Sequence, residues 1–238
     1  MSRMLEALKQ IEARSAAAHK TDESQACQTI EPPPGPVPVG PASADARAYG
    51  ELADNLLSQL RADHPAAWMF TSPGDGAGKT SLLVSLAPAL LERTGGELLL
   101  VDANLRKPEL AGLLGVQSTR GLAEVLMGVA PWRDLVRKTV VQRLSVLPGT
   151  KFPTAGGRTP QRLNLAPLLE EFKSEYRLVL LDSASLAYPE VAPMGRWCDG
   201  IYLVVRLRQT PRRGVLEAVR VIEDFRGPLL GCVVTTGE

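Results

Sequence analysis

The sequence predicts an α/β fold: a doubly wound, mainly parallel sheet with helices on both faces. Three observations predict it. Short apolar runs alternate with helical stretches from residue 48 to the end, and several of the runs are apolar without interruption. A glycine-rich loop also stands between the first run and the helix after it. Unbroken runs such as LLLVD and RLVLLD suit strands buried on both sides, as parallel strands are. Right-handed crossovers between such strands then place helices on both faces of the sheet.

The elements follow in order. Met4, Leu5, Leu8 and Ile11 recur at three- and four-residue intervals, so residues 1–19 read as a short amphipathic helix. Its stripe either packs on the domain's own core or docks on a partner or a membrane face. Residues 20–46 contain EPPPGPVPVGP, whose prolines favour extended polyproline II, so this stretch reads as a flexible linker and the helix as a tethered docking element. Residues 47–238 form the third and largest unit. There the pattern predicts helix 48–60, strand 67–71, the glycine loop, helix 79–93 and strand 97–102. Strands follow at 144–147, 178–182, 201–205 and 230–235, with helices at 121–127, 165–173 and 213–225. Pro88 falls inside helix 79–93 and is expected to kink it. No internal repeat and no second core domain is visible.

Composition narrows the function classes. Hydrophobic residues make up 45% of the 238 and charged residues 22%, the balance of a globular protein with a sizeable core. Lys plus Arg (27) nearly cancels Asp plus Glu (26), so no overall field favours a nucleic-acid partner. The three cysteines, Cys27, Cys198 and Cys232, lack metal-ligand spacing and read as reduced thiols. No apolar run approaches the roughly 18 residues that span a bilayer, and the charged start is unlike a signal peptide. The chain is therefore expected in the cytoplasm, reaching the inner face of the membrane only through a partner.

The strongest motif is TSPGDGAGKTSLL, in which an apolar strand runs through a glycine-rich loop into a helix beginning at Gly78, Lys79 and Thr80. Glycines let successive backbone N–H groups turn inward around phosphates, and the helix N-terminus adds its positive end. Lys79 can reach the terminal phosphates, and the Thr80 hydroxyl can ligate magnesium. The candidate phosphate-binding residues are Gly74, Asp75, Gly76, Ala77, Gly78, Lys79, Thr80 and Ser81. The strict pattern places glycine at position 73, where this chain has Pro73 followed by Gly74. Two later strands end in Asp102 and Asp182 at the carboxyl edge, where open α/β sheets bind ligands. A carboxylate there can hold the water shell of magnesium or accept a proton from an attacking hydroxyl; alone, each would read as a helix cap. The candidate metal residues are thus Thr80, Asp102 and Asp182, and the catalytic candidates Lys79 and Asp102. Arg206, Arg208, Arg212 and Arg213 cluster near the same edge, either as contacts to phosphates, a partner or acidic lipid, or, as is commoner, as a solvated basic loop. Trp132 and Trp197 read as packing anchors.

VDANLRKPELAGLLGV with GLAEVLMG, and later YRLVLLDSAS, CDGIYLVVRLRQTPRRGVLEAV and GPLLGCVVT, resemble the bacterial tyrosine kinases of capsular and exopolysaccharide synthesis, the CpsD, CapB and Wzc type. The leader MSRMLEALKQIEA is similar as well. The resemblance implies a P-loop NTPase fold of the MinD-like (SIMIBI) class, with ATP and magnesium as cofactors. It implies an ATPase or protein-tyrosine kinase activity, a membrane polysaccharide-copolymerase (chain-length) protein as partner, and a homo-oligomer. It gives Lys79 and Thr80 to phosphate and magnesium, makes Asp102 the catalytic acid/base, and has Asp182 position magnesium through water. This chain departs from the family at Asn104, which replaces the second aspartate of the D-x-D-x-R motif while Arg106 is kept, and at Ala184 and Ser185, which stand where prolines are usual. The ring-assembling E-x-x-R-x-x-R helix aligns with Arg47, Gly50 and Ala53, without its charges. The family's tyrosine-rich tail is expected to be missing, since Tyr49, Tyr176, Tyr188 and Tyr202 are dispersed. A degenerate kinase acting as an ATP-controlled scaffold fits the same residues. The rival reading is an ATPase switch of the ParA/MinD kind, which carries a lysine early in the P-loop where this chain has Gly74. No guanine-reading Asn-Lys-x-Asp motif occurs.

Overall fold

The computed structural model describes residues 46–60, 64–152 and 165–236. The expected docking helix and linker lie outside them, apart from Ala46, which opens α1 (Ala46–Leu57). Strand β1 (Ala66–Thr71) leads through the glycine loop into α2 (Lys79–Thr94), and β2 (Leu98–Ala103) follows. Short helices α3 (Leu110–Leu113), α4 (Leu122–Leu126) and α5 (Trp132–Leu135) come before β3 (Arg137–Lys138) and β4 (Leu144–Leu147). Then come α6 (Ala166–Glu175), β5 (Leu178–Ser183), α7 (Val191–Gly195), β6 (Gly200–Arg206), α8 (Arg212–Asp224) and β7 (Leu229–Thr235).

The seven strands form one sheet in the order β3-β4-β2-β5-β1-β6-β7. All neighbours pair in parallel except β3, which runs antiparallel on β4. This is the doubly wound, mainly parallel α/β fold that the sequence predicts.

Side chains alternate along each strand, so every central strand feeds two cores. Leu99, Val101, Val179 and Leu181 join Trp132, Phe172 and Ile222 on one face. Leu98, Leu100, Leu178 and Leu180 join Leu83, Leu86 and Leu90 of α2 and Leu56 of α1 on the other. On that second face Tyr202 stacks on Phe70 and meets Trp68 edge-on, with ring centroids 5.3 and 5.5 Å apart. Helix α2 continues through Pro88 to its C-cap at Gly95. Trp132 is buried and meets Phe172 edge-on, as an anchor should. Trp197 is instead 38% exposed, with Arg196 over its ring, so the packing expected of it is not found. Among the described residues no helix is long and apolar enough to cross a membrane.

Candidate phosphate and magnesium site

The alternation that builds the core also aims the two aspartates. Asp102 and Asp182 continue the rows Leu98–Leu100 and Leu178–Leu180, which face α2, and the two strands pair with Asp102 opposite Asp182. Since α2 begins at the glycine loop, both carboxylates arrive at the mouth of that loop. Gly76 and Gly78 have φ of 78° and 79°, a left-handed conformation that costs other residues a steric penalty, so the loop curls back toward the start of α2. The result is a cleft of about 850 Å³ at the carboxyl edge, lined by residues 75–81 and by Asn104, Arg106 and Tyr188. Another cleft of about 660 Å³ lies at the amino edge near His64, Lys173 and Asp199, away from any phosphate-binding backbone.

The predicted residues fall as follows. Asp75, Gly76, Ala77, Gly78, Lys79, Thr80 and Ser81 line the main cleft, whereas Gly74 lines a smaller hollow on the outer side of the loop, beside Arg206. The Lys79 ammonium is buried and donates to Ser72 Oγ at 2.7 Å, and Ser72 Oγ donates to the Gly74 carbonyl at 2.6 Å. Burial lowers the Lys79 pKa, opposed by the charges of Asp182 and Asp75. Thr80 Oγ1 donates to Asp182 Oδ2 at 2.6 Å. Burial pushes Asp182 up to about 6, against the Thr80 hydrogen bond and the charge of Lys79.

Asp102 sits apart from its neighbour in role. Its Oδ2 accepts the N–H groups of Glu109 and Leu110, both at 3.0 Å, and Oδ1 accepts that of Asn104 at 3.2 Å. The carboxylate thereby organises the turn into α3. It is fully buried and borders a separate cavity of about 520 Å³ with Gly112, Gly149 and Thr150. Burial, with the charge of Asp182 added, pushes it up to about 7, although the three N–H groups favour its ionised form. Asn104, rather than Asp102, lines the main cleft.

Whether magnesium fits is answered by one atom. Asp182 Oδ1 is buried and has no hydrogen-bond partner among the described residues. A carboxylate oxygen withdrawn from water without a donor costs on the order of 1–3 kcal/mol. Water on a cation held beside Thr80 would supply that donor, so these residues fit a hydrated magnesium ion.

Three contributors, Ser72, Ser185 and Tyr188, have no signal of their own for this site in the sequence, and a fourth, Arg206, comes from the basic cluster that the sequence does show. Ser72 receives the Lys79 ammonium. Ser185 Oγ and Tyr188 Oη donate to the two oxygens of Asp75 at 2.7 and 2.8 Å. Arg206, one of the clustered arginines, donates from Nη1 to the Gly76 carbonyl at 3.0 Å, bracing the loop from outside.

No protein-family model matches the chain. It is similar to the tyrosine-protein kinase CpsD of Streptococcus agalactiae, 28% identical over 166 residues that cover 69% of this chain and 71% of that protein. It is also similar to the tyrosine-protein kinase YwqD of Bacillus subtilis, 25% identical over 195 residues and 82% of each chain. Among solved structures, the BceF tyrosine kinase domain superposes with a TM-score of 0.67 at 26% identity, covering 79% of this chain and 76% of that one. The septum site-determining protein MinD of Pyrococcus horikoshii, solved with Mg-ADP, shares the fold with a TM-score of 0.61 at 24% identity, covering 71% of this chain and 70% of its own. In sequence the chain is thus similar to bacterial tyrosine kinases, and in fold to their kinase domains and to MinD.

Proposed function

We propose that this chain binds ATP with magnesium and acts as a tyrosine-kinase-type regulator of capsular or exopolysaccharide synthesis, at the inner face of the membrane beside a chain-length protein. One observation carries the proposal above the rest: Thr80 and Asp182 meet at 2.6 Å beneath the glycine loop, and the second Asp182 oxygen has no donor among the described residues. That arrangement is built for a hydrated cation next to a phosphate cradle.

Within this site the backbone N–H groups of the loop and the start of α2 bind the phosphates, and Lys79 exchanges Ser72 for a phosphate oxygen. Thr80, with Asp182 acting through water, holds magnesium, which when bound draws charge from the phosphate oxygens. Asp102 is the acid/base candidate. With a pKa of about 7 it can both take and return a proton near neutral pH, as a general base should. Its oxygens accept three backbone N–H groups, two on Oδ2 and one on Oδ1, which leaves an acceptor position on Oδ1 for a proton.

The test is turnover of labelled ATP with magnesium, with and without a cytoplasmic peptide of a polysaccharide copolymerase. Transfer of label to tyrosine, lost in Lys79→Ala and Asp102→Asn, is the expected result. Bound ATP without hydrolysis or transfer would reduce the function to a nucleotide-controlled scaffold, and ATP-driven dimerisation without transfer would favour a MinD-like switch.

A further inference from the structure

A glycine loop holds phosphate only if its peptide groups face the right way, and here that direction is set from outside the cleft. In a planar trans peptide the N–H points opposite to the C=O. A loop carbonyl tied to the outer side therefore turns the N–H of the following residue toward the cleft. Two consecutive carbonyls are tied in this way. Arg206 Nη1 donates to the Gly76 carbonyl at 3.0 Å, and Thr235 Oγ1 donates to the Ala77 carbonyl at 2.9 Å. Neither donor lines the main cleft, and Arg206 borders the hollow on the other side of the loop. The N–H groups of Ala77 and Gly78 are thereby directed into the cleft that residues 75–81 line.

The two donors form one unit. Arg206 and Thr235 stand opposite each other at the last rung between β6 and β7. Just beyond β6, Leu207 N–H donates to the Thr235 carbonyl at 2.8 Å. Arg206 N–H donates to Thr210 Oγ1 at 3.0 Å, and Thr210 N–H donates back to the Arg206 carbonyl at 2.9 Å, closing the turn behind the rung. The strand that carries Thr235 is an edge strand, joined to β6 alone. The next residue, Thr236, is exposed.

We propose that Thr235 is a positioning residue for the phosphates: with Arg206 it clasps the outer side of the glycine loop and so aims the Gly78 N–H. This rests on the reading that the cleft binds ATP. The loop needs such a clasp because of its own glycines. Gly76 and Gly78 permit the left-handed curl, but the same freedom permits others, and a peptide beside a glycine swings easily. Ala77 is buried, so without the Thr235 hydroxyl its carbonyl lacks a donor and the peptide between Ala77 and Gly78 turns to find one. The Gly78 N–H then leaves the cradle, while Lys79 and Thr80 keep their places at the start of α2. Loop N–H groups cradle phosphates that ATP and ADP share, so both nucleotides lose the same contact.

The experiment is calorimetric titration of the full chain with ATP and with ADP in magnesium, for wild type, Thr235→Val, Thr235→Ser and Thr236→Val. A denaturant midpoint is measured for each without nucleotide. Valine keeps the branched shape and strand preference of threonine while removing the hydroxyl. Thr235→Val should weaken ATP and ADP by the same factor, about three- to tenfold, the range of one neutral hydrogen bond. Thr235→Ser and Thr236→Val should bind within about twofold of wild type. If Thr235→Val does not fold, Thr235→Ala takes its place with the same expectation. Unchanged affinity in the variant without the hydroxyl, whatever its midpoint, would make Thr235 a structural residue only and overturn the proposal. Equal weakening in Thr235→Val and Thr235→Ser, or a loss confined to ATP, would overturn it too, since neither follows from the Gly78 N–H. No nucleotide binding by wild type would overturn this inference and the reading beneath it together.

Discussion

Two aspartates that look alike at the ends of their strands occupy different electrostatic environments, and the difference can be measured. Asp102 is pushed up to about 7 and Asp182 to about 6, chiefly by burial. Carboxyl groups in an unfolded chain titrate near ~4. Between those values the folded, metal-free chain holds more protons than the unfolded one. Stability is therefore greatest below about pH 4 as far as these groups are concerned, falls as pH rises toward 7, and levels off above it. Denaturant midpoints across this range should decline with pH. In Asp102→Asn the decline should be shallower and should end near the Asp182 value of about 6. An unchanged slope would show that Asp102 does not carry this charge. Thr80 gives a second test at the same scale. Thr80→Val removes the hydroxyl that meets Asp182 at 2.6 Å, and should weaken magnesium-dependent ATP binding by roughly tenfold or more, whereas Thr80→Ser should bind nearly as wild type. Equal binding by both variants would separate Thr80 from the metal. The sequence placed Lys79, Thr80 and Asp182 in one neighbourhood because the P-loop spacing and the strand ends dictate it. It could not show Ser185 or Tyr188 joining them, since those contacts depend on how the loop after β5 folds back over Asp75, nor Ser72, whose hydroxyl meets Lys79 only through the curl of the glycine loop.

Elements make their own demands, and the glycines show which are strict. A Cβ on Gly121 would lie 2.0 Å from the Pro148 carbonyl oxygen, where Leu122 N–H also donates to that oxygen at 2.8 Å. Both atoms belong to backbone that fixes α4 against the end of β4, so neither can move cheaply. Gly121→Ala should destabilise the fold by about 1–3 kcal/mol or more, read as a lower denaturant midpoint. Gly50, within α1, offers the opposite case. Its nearest obstacle is the end of the flexible Arg93 side chain at 3.0 Å. Alanine is the better helix former by roughly 0.5–1 kcal/mol, so Gly50→Ala should leave stability unchanged or slightly raised. The long elements were legible in sequence because their apolar runs and helical periods are strong: β4 is found at the residues the pattern names, and β1, β2, β5, β6 and β7 begin or end within one residue of it. The two-residue β3, made of Arg137 and Lys138, has no apolar period to reveal it. Helices α3, α5 and α7 span only four or five residues each, too short to show a 3.6-residue repeat.

At the scale of the molecule, the sheet order places β1, β5 and β2 side by side, and this brings the glycine loop, Asp182 and Asp102 to one edge. The sequence predicts a parallel sheet but not that order, because strand adjacency is decided by which helix packs over which crossover. The central claim is that the whole arrangement exists to bind a nucleoside triphosphate with magnesium, preferring adenine. The most direct measurement is calorimetric titration of the full chain with ATP and with GTP, in magnesium and then in excess chelator, alongside Lys79→Ala. Magnesium-dependent binding of ATP in preference to GTP, reduced at least about tenfold in Lys79→Ala, is the expected result. Binding unaffected by chelator and by Lys79→Ala, or a preference for GTP, would contradict it.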